Sequence, residues 1–302
     1  MNGLIVLDKP QDFTSFDAVA VMRKICHEKK IGHTGTLDPM ATGVLPILLG
    51  RGTKCSDLMP DTDKEYVASF KLGVSSDTLD STGKILEEKY EKITREQLEN
   101  ALEKFRGEIE QIPPMYSAVQ VNGVRLYDLA RKGIEVERQA RKINISKLIL
   151  ESYNEENGTG EITVRCSKGT YIRTLIDDIA KSLDLCGAVM TALRRTQACG
   201  FRLYDALTLD ELRKLSENGE IESVVRPLDG LFTMYRKITV SPAQMKRYLN
   251  GGELALERLR GKFEENGEKI RVYSPDGKIF LGLGEVNLEG NELKILKILY
   301  LG

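Results

Sequence analysis

The 302-residue sequence has no tryptophan, two histidines, and five cysteines that never form a C-x-x-C pair. Structural zinc needs four converging ligands, usually in close pairs, so a metal site is not expected. Cys26, Cys55, Cys166, Cys186 and Cys199 read instead as reduced thiols, small hydrophobes of a core. Long apolar runs are missing as well. The densest, GVLPILLG at 43–50, falls far short of the ~20 residues that cross a bilayer, and it contains Pro46. The N-terminus MNGLIVLDKP has no basic stretch ahead of its apolar run and no cleavage site behind it, so a cytoplasmic protein without a membrane partner is expected. Net charge is nearly absent: 44 Lys+Arg stand against 45 Asp+Glu. That balance excludes a uniformly basic nucleic-acid coat protein. No P-loop, dinucleotide fingerprint or G-x-S-x-G occurs, which leaves no sign of a nucleotide cofactor or a serine hydrolase.

What is present is an ordinary globular composition, 41% hydrophobic and 29% charged. Residues 3–7 form a buried-strand pattern ending at Asp8-Lys9-Pro10. Thr14 and Asp17 have capping-box spacing ahead of a helix over 15–27, with Val19, Met22, Ile25 and Cys26 on one face. His27 then terminates that helix. Residues 31–42, IGHTGTLDPMAT, read as one long loop, and apolar 44–49 and alternating 66–72 read as strands. Thr94 and Gln97 cap a second helix. After a strand at 161–166, Ile172, Leu175, Ile176, Ile179 and Leu183 put an apolar stripe on a helix reaching about 184. From about 236 the pattern changes to short strands, one helix at 242–249, and a Ser274-Pro275-Asp276-Gly277 hairpin turn. Helices and strands mix without regular βαβ alternation, so the expected class is α+β with a small, mostly β C-terminal module.

Charge is uneven along the chain. Residues 131–147 hold six bases (Arg131, Lys132, Arg138, Arg141, Lys142 and Lys147) against Glu135 and Glu137. No acid occurs from 190 to 204, where Arg194, Arg195 and Arg202 lie, while 87–110 carries eight glutamates against five bases. One face can therefore attract a polyanion that another repels.

Three residues stand out for chemistry. Asp38 lies in GHTGTLDP, where glycines allow close approach and the following proline holds the carboxylate's residue extended. His33, five residues earlier, lacks a matching nucleophile and reads by itself as a loop hydrogen-bonder. Arg173 falls off the apolar stripe of its helix and near the helix start, where the dipole disfavours a cation. It needs an anionic partner.

The run GHTGTLDPMATGVLPI at 32–47 resembles the signature of the TruB family of tRNA pseudouridine synthases, and LDKPQDFTSFDAV at 7–19 resembles that family's opening. Further blocks agree in order: DKEYVASFKLGVSSDTLDSTG at 63–83, PPMYSAVQVNGVRLYDLARKGIEVERQAR at 113–141, SKGTYIRTLIDDIAKSL at 167–183 and LRRT at 193–196.

The resemblance implies a catalytic domain over 1–235, with a mixed, mainly antiparallel sheet flanked by helices and an insertion at about 114–147 that closes over RNA. Residues 236–302 resemble, less specifically, a PUA domain. The implied reaction breaks the C1′–N1 bond of uridine 55 in the T-loop of tRNA, turns the base and forms C1′–C5, with no cofactor or metal. Asp38 falls on the catalytic aspartate, Tyr66 on the tyrosine against the target base, and Arg173 on the arginine that pairs with the aspartate. Tyr171 and Leu193 match pocket residues, and His33 matches a histidine that enters the RNA loop beside the flipped base. Arg131, Lys132, Arg141, Lys142, Arg194 and Arg195 are expected to meet phosphates. The chain lacks the long basic tails of guide-RNA-dependent relatives, so a stand-alone monomer acting on the tRNA T-arm is expected. The competing expectation is an RNA chaperone that holds the T-arm without catalysis.

Overall fold

A computed structural model describes residues 1–121 and 123–300. The chain opens with β1 (Gly3–Lys9) and α1 (Ser15–Ile25), whose N-cap Thr14 and Asp17 form the expected reciprocal capping box. Next come β2 (Ile31–His33), β3 (Thr42–Leu49), β4 (Lys64–Leu72) and the hairpin strands β5 (Val74–Ser76) and β6 (Ile85–Glu88). Thr94 and Gln97 cap α2 (Arg95–Glu103) as their spacing predicts. It is followed by β7 (Gly107–Gln111), β8 (Gln120–Val121), β9 (Val124–Arg125), α3 (Leu126–Ala130), β10 (Arg141–Asn154) and β11 (Thr159–Cys166). Then come α4 (Ile172–Lys181), β12 (Ala188–Ala198), β13 (Phe201–Arg202) and α5 (Leu209–Glu217). The C-terminal part holds β14 (Arg236–Thr239), α6 (Pro242–Leu249), β15 (Leu254–Ala255), β16 (Lys269–Tyr273), β17 (Phe280–Asn287) and β18 (Glu292–Ile298).

Among the described residues these strands form a nine-stranded sheet, a five-stranded sheet and two small hairpins. The large sheet runs β1-β3-β12-β4-β11-β10-β7 and is antiparallel except where β12 meets β3. The fold is therefore the expected α+β arrangement, a mixed and mainly antiparallel sheet with a separate β-rich C-terminal part. On one face, α1, α2, α4 and α5 bury Met22, Leu98, Leu175 and Leu212 against Leu45, Ala68, Phe70 and Ile162. The opposite face of β1 and β3 offers Leu4, Val6, Val44 and Leu48 to Leu228, Leu231 and Phe232, and to Leu283 and Leu299 from the C-terminal part. That part also has a core of its own around Tyr248, Ile270, Val272 and Leu281.

Three sequence expectations change. The stretch 31–42 is not wholly a loop, because Ile31–His33 pairs with Ile47–Leu49. The helix expected to reach 184 stops at Lys181. The stretch 114–147 is also composite: β8, β9 and α3 stand apart, whereas 141–147 is the start of β10 and pairs with β7 in the main sheet.

The edge of β3 is divided, and the division shapes the site. β12 pairs with β3 only at Thr42 and Gly43, and β2 takes the same edge at Ile47–Leu49. Residues 34–41 leave the sheet through the gap. Gly43, at φ +105, lies so close to β12 that a Cβ would stand 2.2 Å from the Arg195 carbonyl oxygen. Gly43→Ala should therefore lower stability by about 2 kcal/mol or more; an unchanged urea midpoint would contradict this packing. Burial also pushes the thiols of Cys26 and Cys166 up to about 11 and that of Cys55 to about 12, leaving little thiolate. At pH 8 these three should react with a disulfide reagent at least a hundredfold more slowly in the native protein than in urea, and rapid native labelling at any of them would disprove that.

Candidate active site

The gap in the sheet is floored by one cross-strand row. Lys9 stands opposite Gly43, Gly43 beside Arg195, Arg195 opposite Tyr66 and Tyr66 opposite Val164. Directly paired residues project from the same sheet face, so Lys9, Arg195 and Tyr66 share one face with an empty position at Gly43 between the two cations.

Arg195 is fully buried. Its Nε donates to the Val44 carbonyl at 2.7 Å, one terminal nitrogen to Gly35 O at 3.1 Å, and the other to Thr36 O at 3.5 Å. The Val44 carbonyl is the group left without a strand partner where β12 has parted from β3 and β2 has not yet joined it. Lys9, also fully buried, donates to Pro10 O at 2.8 Å, Phe13 O at 2.6 Å and Pro39 O at 3.3 Å. Burial, reinforced by the Arg195 charge, lowers its ammonium to about 8. Two buried cations thus hold the main chain on either side of Asp38 without touching its carboxylate. A third hold comes from α1: buried Ser15 Oγ accepts from the Leu37 amide at 2.9 Å and donates to the Leu37 carbonyl at 3.2 Å.

The carboxylate itself is about one-third exposed and meets Arg173. Arg173 Nε lies 3.1 Å from Asp38 Oδ2 and a terminal nitrogen donates to Oδ1 at 3.3 Å, a two-point pairing. Arg173 lies off the apolar stripe of α4, as the sequence predicts, yet it is buried, because the 78–80 turn and Tyr116 cover that side. It donates to Thr78 O at 2.9 Å and Tyr116 O at 3.1 Å, and buried Asp80 lies 3.5 Å away. Asp80 is held by Thr78 Oγ1 at 2.7 Å, the Thr82 amide at 3.0 Å and Thr82 Oγ1 at 2.6 Å. The anionic partner that Arg173 needs is therefore double. Buried charges without such partners lose several kcal/mol, so Asp80 is what allows Arg173 to stay buried while Asp38 faces outward.

Sequence reasoning missed Asp80, Lys9 and Gln111. Asp80 sits in DTLDST, which reads as a turn, and nothing in the local sequence signals its pairing with Arg173. Gln111 on β7 clamps the start of α4, accepting from the Tyr171 amide at 2.8 Å and donating to its carbonyl at 3.1 Å.

Tyr66 is buried beside this group, and burial raises its hydroxyl above the usual phenol range, with Arg195 opposing the shift. Leu193 is buried on β12 opposite Ala68, on the same face. Tyr171 is half-buried at the N-cap of α4. His33 ends β2, with its Nδ1 buried and unbonded among the described residues. Burial, followed by the Arg195 charge, lowers its pKa, so it is neutral at pH 7.

The basic residues divide. Arg131 and Lys132 are exposed after α3, with the Arg131 guanidinium 5.5 Å from the Tyr127 ring centroid. Arg141 is exposed, and exposed Lys142 pairs with Glu108 at 3.1 Å. Arg194 turns to the opposite sheet face, bonded to Asp8 at 2.7 and 3.3 Å and to Thr42. Arg195 is a correction: sealed in the sheet and bonded to three carbonyls, it has no surface to offer a phosphate. Arg195→Lys keeps the charge and loses the fork. Exchange of the bonded loop amides of Thr34, Leu37 and Ala41 should then quicken about tenfold; unchanged exchange would show that the loop does not depend on the guanidinium.

Comparison with known proteins agrees with this arrangement. Residues 23–172 match the model of the TruB family pseudouridylate synthase N-terminal domain, and residues 173–233 match the tRNA pseudouridylate synthase B C-terminal domain. The chain is 45% identical to tRNA pseudouridine synthase B of Clostridium tetani over 99% of this chain and 100% of that one. It is 40% identical to the protein of the same name from Clostridioides difficile over 98% of each chain. Among solved structures, a Cbf5-Nop10-Gar1 complex contains a chain of similar fold, with a TM-score of 0.72 at 24% identity, covering 99% of this chain and 85% of that one. At such identity over its whole length, with an aspartate presented by a buried arginine, the chain belongs to the TruB family of pseudouridylate synthases.

Proposed function

We propose that this protein converts uridine 55 in the T-loop of tRNA to pseudouridine. The observation that carries the reading is the Asp38 carboxylate, one-third exposed above a buried Arg173 that approaches both of its oxygens. Identity of 40–45% to proteins named tRNA pseudouridine synthase B supports tRNA as the substrate. The reaction is an isomerisation. The C1′–N1 bond breaks, C1′–C5 forms, and the proton displaced from C5 is replaced by one on N1, with no net redox change.

A T-loop uridine is stacked, so it must first leave the loop interior, at a cost of a few kcal/mol. Exposed Arg131, Lys132 and Arg141 supply positive charge for the backbone on the 114–147 side. Neutral His33 enters the loop as a wedge rather than as an acid. Once turned out, the base lies against Tyr66 and Leu193, with Tyr171 at the rim. Asp38 then supplies the anionic oxygen at the reacting centre, and Arg173 fixes the direction from which it acts. Burial keeps the Tyr66 hydroxyl protonated, which suits it to contact a neutral base and pass on the C5 proton. Lys9, Arg195 and Ser15 hold the loop.

Incubation of an unmodified tRNA transcript with wild type and Asp38→Asn, followed by pseudouridine mapping, tests the reading. Wild type should modify position 55, and Asp38→Asn should lose at least a thousandfold in rate while still binding tRNA. Equal product from both proteins would refute the role of Asp38. Binding without product in wild type would replace the enzyme by an RNA chaperone of the T-arm.

A further inference from the structure

α1 buries Ser15, Ala18, Val19, Met22 and Ile25, and its outward positions 16, 17, 20, 23 and 24 hold Phe, Asp, Ala, Arg and Lys. Phe16 does not belong to that set. Its side chain is 67% exposed, and it is not the staple of the capped end, because the position four residues after N-cap Thr14 is Ala18. A single exposed apolar side chain carries little meaning. This one has a location.

Ser15 is bonded through Oγ to both main-chain groups of Leu37. Phe16 follows Ser15 and Asp38 follows Leu37, so the clamp that fixes the catalytic loop also fixes the exposed ring one residue away on the neighbouring element. The ring meets His33 edge-on, with centroids 6.0 Å apart and planes at 89°. An edge-on contact leaves a face of the benzene ring uncovered. His33 is neutral, so no cation competes for the π surface.

We propose that Phe16, braced edge-on by His33, offers its open ring face as a platform on which an unstacked base of the RNA loop lies, next to the uridine that enters the Asp38 pocket. The inference rests on the tRNA reading above and adds a second binding residue to it. Every base has a π face, so the contact serves affinity and placement and reads no sequence. It also answers a need of the reaction: a loop that gives up one base loses stacking for that base's neighbour, and the exposed ring replaces the lost surface.

The test compares Phe16→Ala, Phe16→Leu and Phe16→Tyr with wild type. Titration with a tRNA T-arm stem–loop and single-turnover kinetics at saturating RNA separate binding from chemistry. Phe16→Ala should raise Kd and KM about tenfold or more, in line with the loss of one base–aromatic stack, while the saturated rate falls far less. Phe16→Tyr should restore binding, and Phe16→Leu, of similar apolar bulk without a π face, should not. Thermal midpoints should stay close to wild type, because the side chain is exposed. An unchanged Kd in Phe16→Ala, or rescue by Phe16→Leu as complete as by Phe16→Tyr, would overturn the platform. Absence of pseudouridine with wild type would refute the functional reading separately, and the Kd comparison would still decide the role of Phe16.

Discussion

A sheet edge shared by two strands leaves a carbonyl with no ladder partner, and in this protein a buried guanidinium takes that place. Arg195 fills the gap between β12 and β2 on β3 and turns an interruption of the sheet into the exit of the Asp38 loop. An unsatisfied buried carbonyl costs on the order of 1–3 kcal/mol, and a buried cation without acceptors costs more. Each resolves the other. Gly43 is required for the same reason, since any side chain there would strike the backbone of the strand that carries the arginine.

Electrostatics then divides labour among three buried cations. Lys9 and Arg195 face carbonyl dipoles and hold the chain, whereas Arg173 faces carboxylates and sets the direction of one of them. Asp80 permits the arrangement. With its carboxylate bound by Thr78 and Thr82, it shares the charge of Arg173 from the interior side, so Asp38 can remain partly open to solvent while its partner is enclosed. The uneven charge of the sequence has a similar logic, for net charge near zero coexists with exposed bases on the 131–142 segment and a glutamate-rich 87–110 segment.

Much of this was legible in the sequence where local chemistry decides structure. The capping boxes at Thr14 and Thr94, the apolar stripe of α4 and the Pro-Asp-Gly hairpin at 274–277 form as their spacing predicts, because each depends on contacts within a few residues. Asp38 and Arg173, read as a loop carboxylate and a misplaced cation in need of an anion, meet in the fold. What could not be read depends on pairs distant in the chain. The strand at Ile31–His33 exists only because β12 vacates that edge of β3, and Arg195 looks like a surface base until its strand is seen inside a sheet. Asp80 and Gln111 were silent for the same reason.

Lys9 and Arg195 grip the Asp38 loop solely through main-chain oxygens. Such a grip is blind to side-chain identity. The exposed side chain of Thr36 can therefore change without loosening the support, and the outer contour of the loop can vary there while its main chain stays in place. Inheritance of the catalytic geometry and divergence of recognition are thereby placed on separate atoms of one short segment.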